Sequence, residues 1–140
     1  MRWIPFAAVC AIFLACADFF VKLASNRISS SMGALIYGGT TFLTALAWVL
    51  YQRATGQSFV VTPLGFGYAV VVGLAFSAVT FLLYVTFARA NVSIASPTIR
   101  ITGILLASLL GILVLREAFT WRYALGVLLA LAGVTLIILR

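Results

Sequence analysis

Five apolar stretches, each close to the length of a membrane crossing, are separated only by short polar turns, and this pattern limits the fold more than any other feature of the chain. An α-helix rises 1.5 Å per residue, so a hydrocarbon core of about 30 Å takes about 20 apolar residues to cross. The stretches fall at residues 3–24, 32–51, 63–88, 97–115 and 121–139. They predict an all-α fold, a polytopic transmembrane bundle of five helices in one domain. The third stretch would be ~39 Å long as a helix, so it should tilt or bend. Pro63 and Pro97 suit first helical turns, and Thr120 suits an N-cap.

Composition excludes the aqueous alternative. Apolar residues make up 65% of the 140 positions and charged residues 8%, whereas soluble domains run at about 45–50% and about 25%. A chain this short cannot bury so much apolar surface in a water-soluble core. The nine Lys and Arg against two acids give a net charge of +7. These cations are single residues between apolar runs and form no basic stripe, so they read as head-group anchors and not as a nucleic-acid surface. There is no His, and the two cysteines, Cys10 and Cys16, lie within the first apolar run without metal-ligand spacing. Neither a metal site nor a cofactor is implied. Arg2 followed by an apolar run and Ala15-Cys16-Ala17 resembles a cleavable signal. The run continues through Phe19, Phe20 and Val21 to Leu23, so we read it as a retained first span.

Small residues recur at helical spacing: Gly65, Ala69, Gly73 and Ser77 in the third span, Gly103, Ala107 and Gly111 in the fourth, and Gly126, Ala130 and Gly133 in the fifth. Such stripes let backbones approach closely in lipid, either within one chain or across a dimer seam. The fifth span is the favoured seam. Five crossings put the termini on opposite faces. Arg2, Arg53, Arg116 and Arg122 then share one face, and Lys22, Arg27, Arg89, Arg140 and the nearby Arg100 share the other. Lys/Arg bias sets orientation. Here the bias is one residue, so either a single local signal fixes the topology or copies insert both ways and pair as an antiparallel dimer.

Few residues can carry chemistry. Asp18 lies well inside the first span, with Lys22 four residues on and therefore on the same face. The pair either neutralises itself locally or lines a polar cavity, where the carboxylate can exchange a proton or bind a cationic group. Arg100 either snorkels to the interface or faces inward toward Asp18 or an anionic substrate, with Thr98 and Thr102 nearby. Tyr37 and Tyr84 are intramembrane phenols that line a site or pack. Phe19, Phe20, Phe76 and Phe81 read as packing, and Glu117 as pairing locally with the arginines around it. No enzyme constellation is present: no His for acid–base work, no paired carboxylates and no phosphate-binding Gly loop.

Two stretches in the second half carry a family resemblance. One is Tyr84-Val85-Thr86-Phe87-Ala88 followed by Asn91-Val92-Ser93-Ile94-Ala95-Ser96-Pro97. The other is Glu117-Ala118-Phe119-Thr120, then Gly126 and Ala132-Gly133-Val134. In order and spacing they resemble the EamA-domain proteins of the drug/metabolite transporter superfamily, and Lys22 resembles the lysine near that family's first helix end. Most members carry two oppositely oriented five-helix units, so this chain resembles half of an EamA-type ten-helix inverted-repeat transporter. The resemblance implies a dimer in a prokaryotic inner membrane. The last two spans also resemble small multidrug resistance proteins, which places Arg100 and Gly103 in a substrate-facing, bendable stretch. That family's membrane glutamate falls at Leu14 here, while Asp18 lies one turn later, so its proton-coupled antiport does not transfer intact. The expected function is secondary transport of a small organic solute by a homodimer through alternating access. Asp18 is the expected coupling carboxylate, with Lys22 beside it. The alternative is a non-transporting subunit that assists a lipid flippase or another transporter.

Overall fold

The structure, a computed structural model, describes residues 3–139; Arg2 and Arg140, which enter the charge comparison above, lie outside the described residues. All regular structure among the described residues is helical, in five helices long and apolar enough to span a membrane. In hydrocarbon no water can satisfy backbone groups, and a helix satisfies nearly all of them within itself.

Local chemistry sets the helix ends. α1 (Ile4–Ser25) opens with Pro5 in its first turn, where a missing N–H costs nothing. α2 (Ser30–Ala54) is capped by Ser29, whose hydroxyl accepts from the Met32 N–H at 3.4 Å. α3 (Pro63–Arg89) begins behind Thr62, whose hydroxyl accepts from the Gly65 N–H at 3.1 Å. α5 (Trp121–Ile138) is capped by Thr120, which accepts from the Tyr123 N–H at 3.3 Å, as its sequence position predicts.

α4 (Val92–Val114) departs from the sequence expectation. It opens at Val92 and carries Pro97 inside it, where the sequence reading started the helix. Asn91 is extended (φ −72°, ψ 135°), and its carbonyl accepts from Ile94 at 3.1 Å and Ala95 at 2.9 Å, so the first turn is already closed before the proline. Pro97 removes only the bond that its nitrogen would donate to the Ser93 carbonyl.

Within the spans, hydroxyls turn back onto their own helices. Thr44 donates to the Thr40 carbonyl at 2.7 Å, Ser77 to Gly73 at 2.9 Å, Thr98 to Ile94 at 2.7 Å and Thr135 to Leu131 at 2.9 Å. A hydroxyl bonded this way is carried through lipid without a partner helix.

The helices group into two compact units, the first ending at Arg89 and the second starting at Ala90. In the first unit α3 packs against both α1 and α2. Its buried positions are Asp18, Gly33, Thr80, Tyr84 and Phe87, which place the end of α1, the start of α2 and the end of α3 together. α1 and α3 therefore run parallel and α2 antiparallel to them. The remaining lengths of α2 and α3 present large apolar side chains outward, among them Phe42, Trp48, Phe66 and Leu74. In the second unit α4 and α5 form a helical hairpin.

Gly33 allows the tightest approach in the first unit. A Cβ at this position would lie 2.5–2.9 Å from the Tyr84 ring, and both residues are buried. Gly33→Ala should therefore destabilise the detergent-solubilised protein by about 1–3 kcal/mol through overpacking. Gly38→Ala, where a Cβ meets nothing within 4 Å, should be neutral or slightly stabilising in the same thermal-unfolding measurement.

Candidate functional site

The buried end of the first unit is also where its polar chemistry collects. On α3, Thr80, Tyr84 and Phe87 follow an i, i+4, i+7 spacing and share one face. Phe87 is fully buried and Tyr84 is 8% exposed. On α1, Asp18 and Lys22 are one turn apart on one face, and Asp18 is 3% exposed. Gly33, in the first turn of α2, makes room for the phenol ring of Tyr84.

Lys22 joins α1 to α3. Its ammonium donates to the Phe87 carbonyl at 2.5 Å. Phe87 lies in the last turn of α3, where carbonyls have no partner further along the helix and carry the negative end of the helix dipole. A lysine from the neighbouring helix supplies both the missing donor and the positive charge. Ser25 donates to the Lys22 carbonyl at 2.9 Å and ties down the end of α1. Thr80, although buried, donates to the Phe76 carbonyl of its own helix at 2.8 Å. No buried side-chain nitrogen or oxygen among the described residues lacks a hydrogen-bond partner, so the cluster is a satisfied polar network inside an apolar shell.

Of the residues singled out from sequence, Asp18, Lys22 and Tyr84 belong to this buried end. Tyr37, one turn beyond Gly33 on α2, is 41% exposed and stays outside it. Arg100 lies in α4, in the second unit, and is partly buried. Among the small residues, Gly111 is buried beneath the Glu117 side chain, while a Cβ at Gly103, Gly126 or Gly133 would meet nothing within 4 Å. Ala107 is exposed and Ala130 is partly exposed. In the α3 stripe Gly65, Ala69, Gly73 and Ser77 are all exposed.

The sequence reading passed over three contributors: Gly33, Thr80 and the carbonyl of Phe87. The spacing Thr80–Tyr84–Phe87 was available as a signal. The four phenylalanines read as packing, Phe19, Phe20, Phe76 and Phe81, are exposed, and Phe19 and Phe20 stack edge to face on each other with centroids 5.7 Å apart. Glu117 makes no ion pair with Arg116 or Arg122 among the described residues.

A carboxylate and an ammonium one turn apart in a membrane span, at the same end of the unit as a buried phenol, can exchange protons or hold an ionic group. Lys22→Met should cost about 1–3 kcal/mol, because the α3 carbonyl loses a charged donor and Asp18 loses a neighbouring cation. In a double-mutant cycle with Asp18→Asn, the combined variant should be more stable than additivity predicts, with a coupling of about 0.5–3 kcal/mol in thermal or denaturant unfolding. Additive losses would mean that the two side chains act independently.

The five apolar spans make this a multi-pass membrane protein that associates with the lipid bilayer. No family model, no curated protein and no solved structure matches the chain.

Proposed function

We propose that the chain is a single-unit member of the drug/metabolite transporter superfamily. On this reading it works as a homodimer in a prokaryotic inner membrane and moves a small organic solute by alternating access. The observation that carries the reading is Asp18, a buried carboxylate within an apolar span. Placing an ionisable group there costs about 2.5–3.5 kcal/mol on the insertion scale, and such groups mark ion or substrate pathways. Asp18 is the coupling group, Lys22 its electrostatic partner, and Tyr84 a wall of the polar region. Arg100 meets an anionic part of the solute, and Tyr37 contacts the solute from α2.

Two further observations support the dimer. Among the described residues Gly103, Gly126 and Gly133 have no neighbour close enough to require a glycine, which leaves room to seat a second copy. The cations of the described residues are nearly balanced between faces, with Arg53, Arg116 and Arg122 against Lys22, Arg27, Arg89 and Arg100. That balance favours insertion in both orientations and an antiparallel pair.

The Lys22–Phe87 contact favours a second reading. An ammonium fixed on a helix end is a static staple, and a chain built around a staple suits a non-transporting subunit of a lipid flippase or another transporter. Reconstitution separates the two. Purified protein in liposomes should take up solute in response to a pH gradient, and Asp18→Asn should reduce that uptake to the level of protein-free liposomes while keeping the helical content. No flux from the unaltered protein would favour the subunit reading, and undiminished flux in Asp18→Asn would remove Asp18 from the coupling role.

A further inference from the structure

The second side-chain carboxylate of the chain, Glu117, lies against the end of a helix without an ion pair among the described residues. α4 ends at Val114, and Arg116 turns the chain with a left-handed backbone (φ +55°). The Glu117 N–H then reaches back to the Gly111 carbonyl at 3.2 Å. This fold-back lays the Glu117 side chain on Gly111, where a Cβ would lie 2.7 Å from Oε2. The carboxylate therefore sits beside the last turn of α4, whose carbonyls already present negative charge. Among the described residues no hydrogen bond or ion pair engages it, and Arg116 and Arg122 are both exposed.

The surroundings define what would fit. The carboxylate lines a small cleft of about 80 Å³ with Ser108, Ala118, Ile112 and Tyr123. Ile112 and Tyr123 also line an apolar groove of about 420 Å³ that follows α4 and α5 past Leu109 and Val127 to Leu131. From Tyr123 to Leu131 the groove is about 12 Å long. A polar head cleft thus opens directly into an apolar channel. The carboxylate calls for a cation that can donate a hydrogen bond, the two exposed arginines beside it can reach a phosphate, and the groove accepts a hydrocarbon chain. Trp121, exposed at the start of α5, is an aromatic of the kind that sits at head-group level.

We propose that this face of the α4–α5 hairpin binds a phospholipid whose head group carries a primary ammonium next to its phosphodiester, as phosphatidylethanolamine does. The ammonium hydrogen-bonds to Glu117, the phosphate meets Arg116 and Arg122, and one acyl chain lies along the groove. A trimethylammonium head group has the same net charge but no N–H to donate, and an anionic glycerol head group has no cation.

Lipid titration of the full-length protein, read by native mass spectrometry and by unfolding temperature, tests this. Phosphatidylethanolamine should bind about fivefold more tightly than phosphatidylcholine of the same chains, as one exposed charge-assisted hydrogen bond allows. Glu117→Gln should erase that preference while retaining lipid, and Leu128→Trp, which fills the groove, should weaken both lipids alike. Equal binding of the two lipids, or a preference that survives Glu117→Gln, overturns the proposal. So does lipid-free protein in which Leu128→Cys cross-links to a second copy. If Glu117→Gln does not fold, stepwise N-methylated head groups on the unaltered protein decide instead. Affinity should fall most when the last N–H is lost, and a flat series refutes the site.

Discussion

An ammonium on the end of a helix holds the first unit together. In hydrocarbon each unsatisfied backbone group costs several kcal/mol, and a helix end always leaves carbonyls over. Helices that stop in the head-group region let water meet this need. α3 meets it partly from within the protein, through Lys22 of α1 on the Phe87 carbonyl. That contact ties the end of α1 to the end of α3, as the parallel packing of the two helices allows. It also brings the polar face of α1, with Asp18 one turn before, to the end of α3 where Tyr84 and Thr80 are buried. Elsewhere in the spans Thr40, Thr44, Ser77 and Thr135 bond within their own helices and place no such demand on neighbours.

A division follows within the first unit. Packing is tight where there is polarity to enclose, and the rest of α2 and α3 shows Phe, Trp, Leu and Val outward. In water this would be ruinous. In lipid an apolar side chain gains nothing by leaving its surroundings for a neighbouring helix, so there is no general drive to close such faces. What closes a membrane interface is fit and hydrogen bonding, and both concentrate at the Gly33–Tyr84 and Lys22–Phe87 contacts.

How much of this was legible in the sequence depends on which atoms carry each feature. The five helices were legible because span length and apolar content are properties of whole segments. Asp18 and Lys22 were legible because an ionised side chain in an apolar run stands out against the cost of placing it there. Thr120 was legible as a cap because its hydroxyl is the group that acts. The start of α4 was not, because a proline in an early turn marks either a first residue or a tolerated interruption, and the extended Asn91 decides between them. The partner of Lys22 was hidden for a stronger reason: it is a backbone carbonyl, present at every residue, made available only by where α3 ends. Glu117 was read as paired because Arg116 and Arg122 are near in sequence. The left-handed turn at Arg116 sends its carboxylate back over Gly111 instead.

The glycines make the remaining argument. Each glycine inside a helix costs about 1 kcal/mol relative to alanine, and lipid offers nothing in return. At Gly33 and Gly111 the chain itself supplies the compensation, since the Tyr84 ring and the Glu117 carboxylate occupy the space where a Cβ would stand. At Gly103, Gly126 and Gly133 no described residue, apart from the adjoining backbone of the same helix, comes within 4 Å of that space. Glycines without an internal neighbour are compensated only if another backbone approaches them or if the helix must bend there. The proposed dimer would meet the first condition, with α5 presenting Gly126 and Gly133 to a second copy. Every buried side-chain nitrogen and oxygen of the described residues has a hydrogen-bond partner. Gly38, Gly39, Gly67 and Gly73 of α2 and α3 are as open as the glycines of the second unit, so helix faces in both units can admit a close approach in lipid.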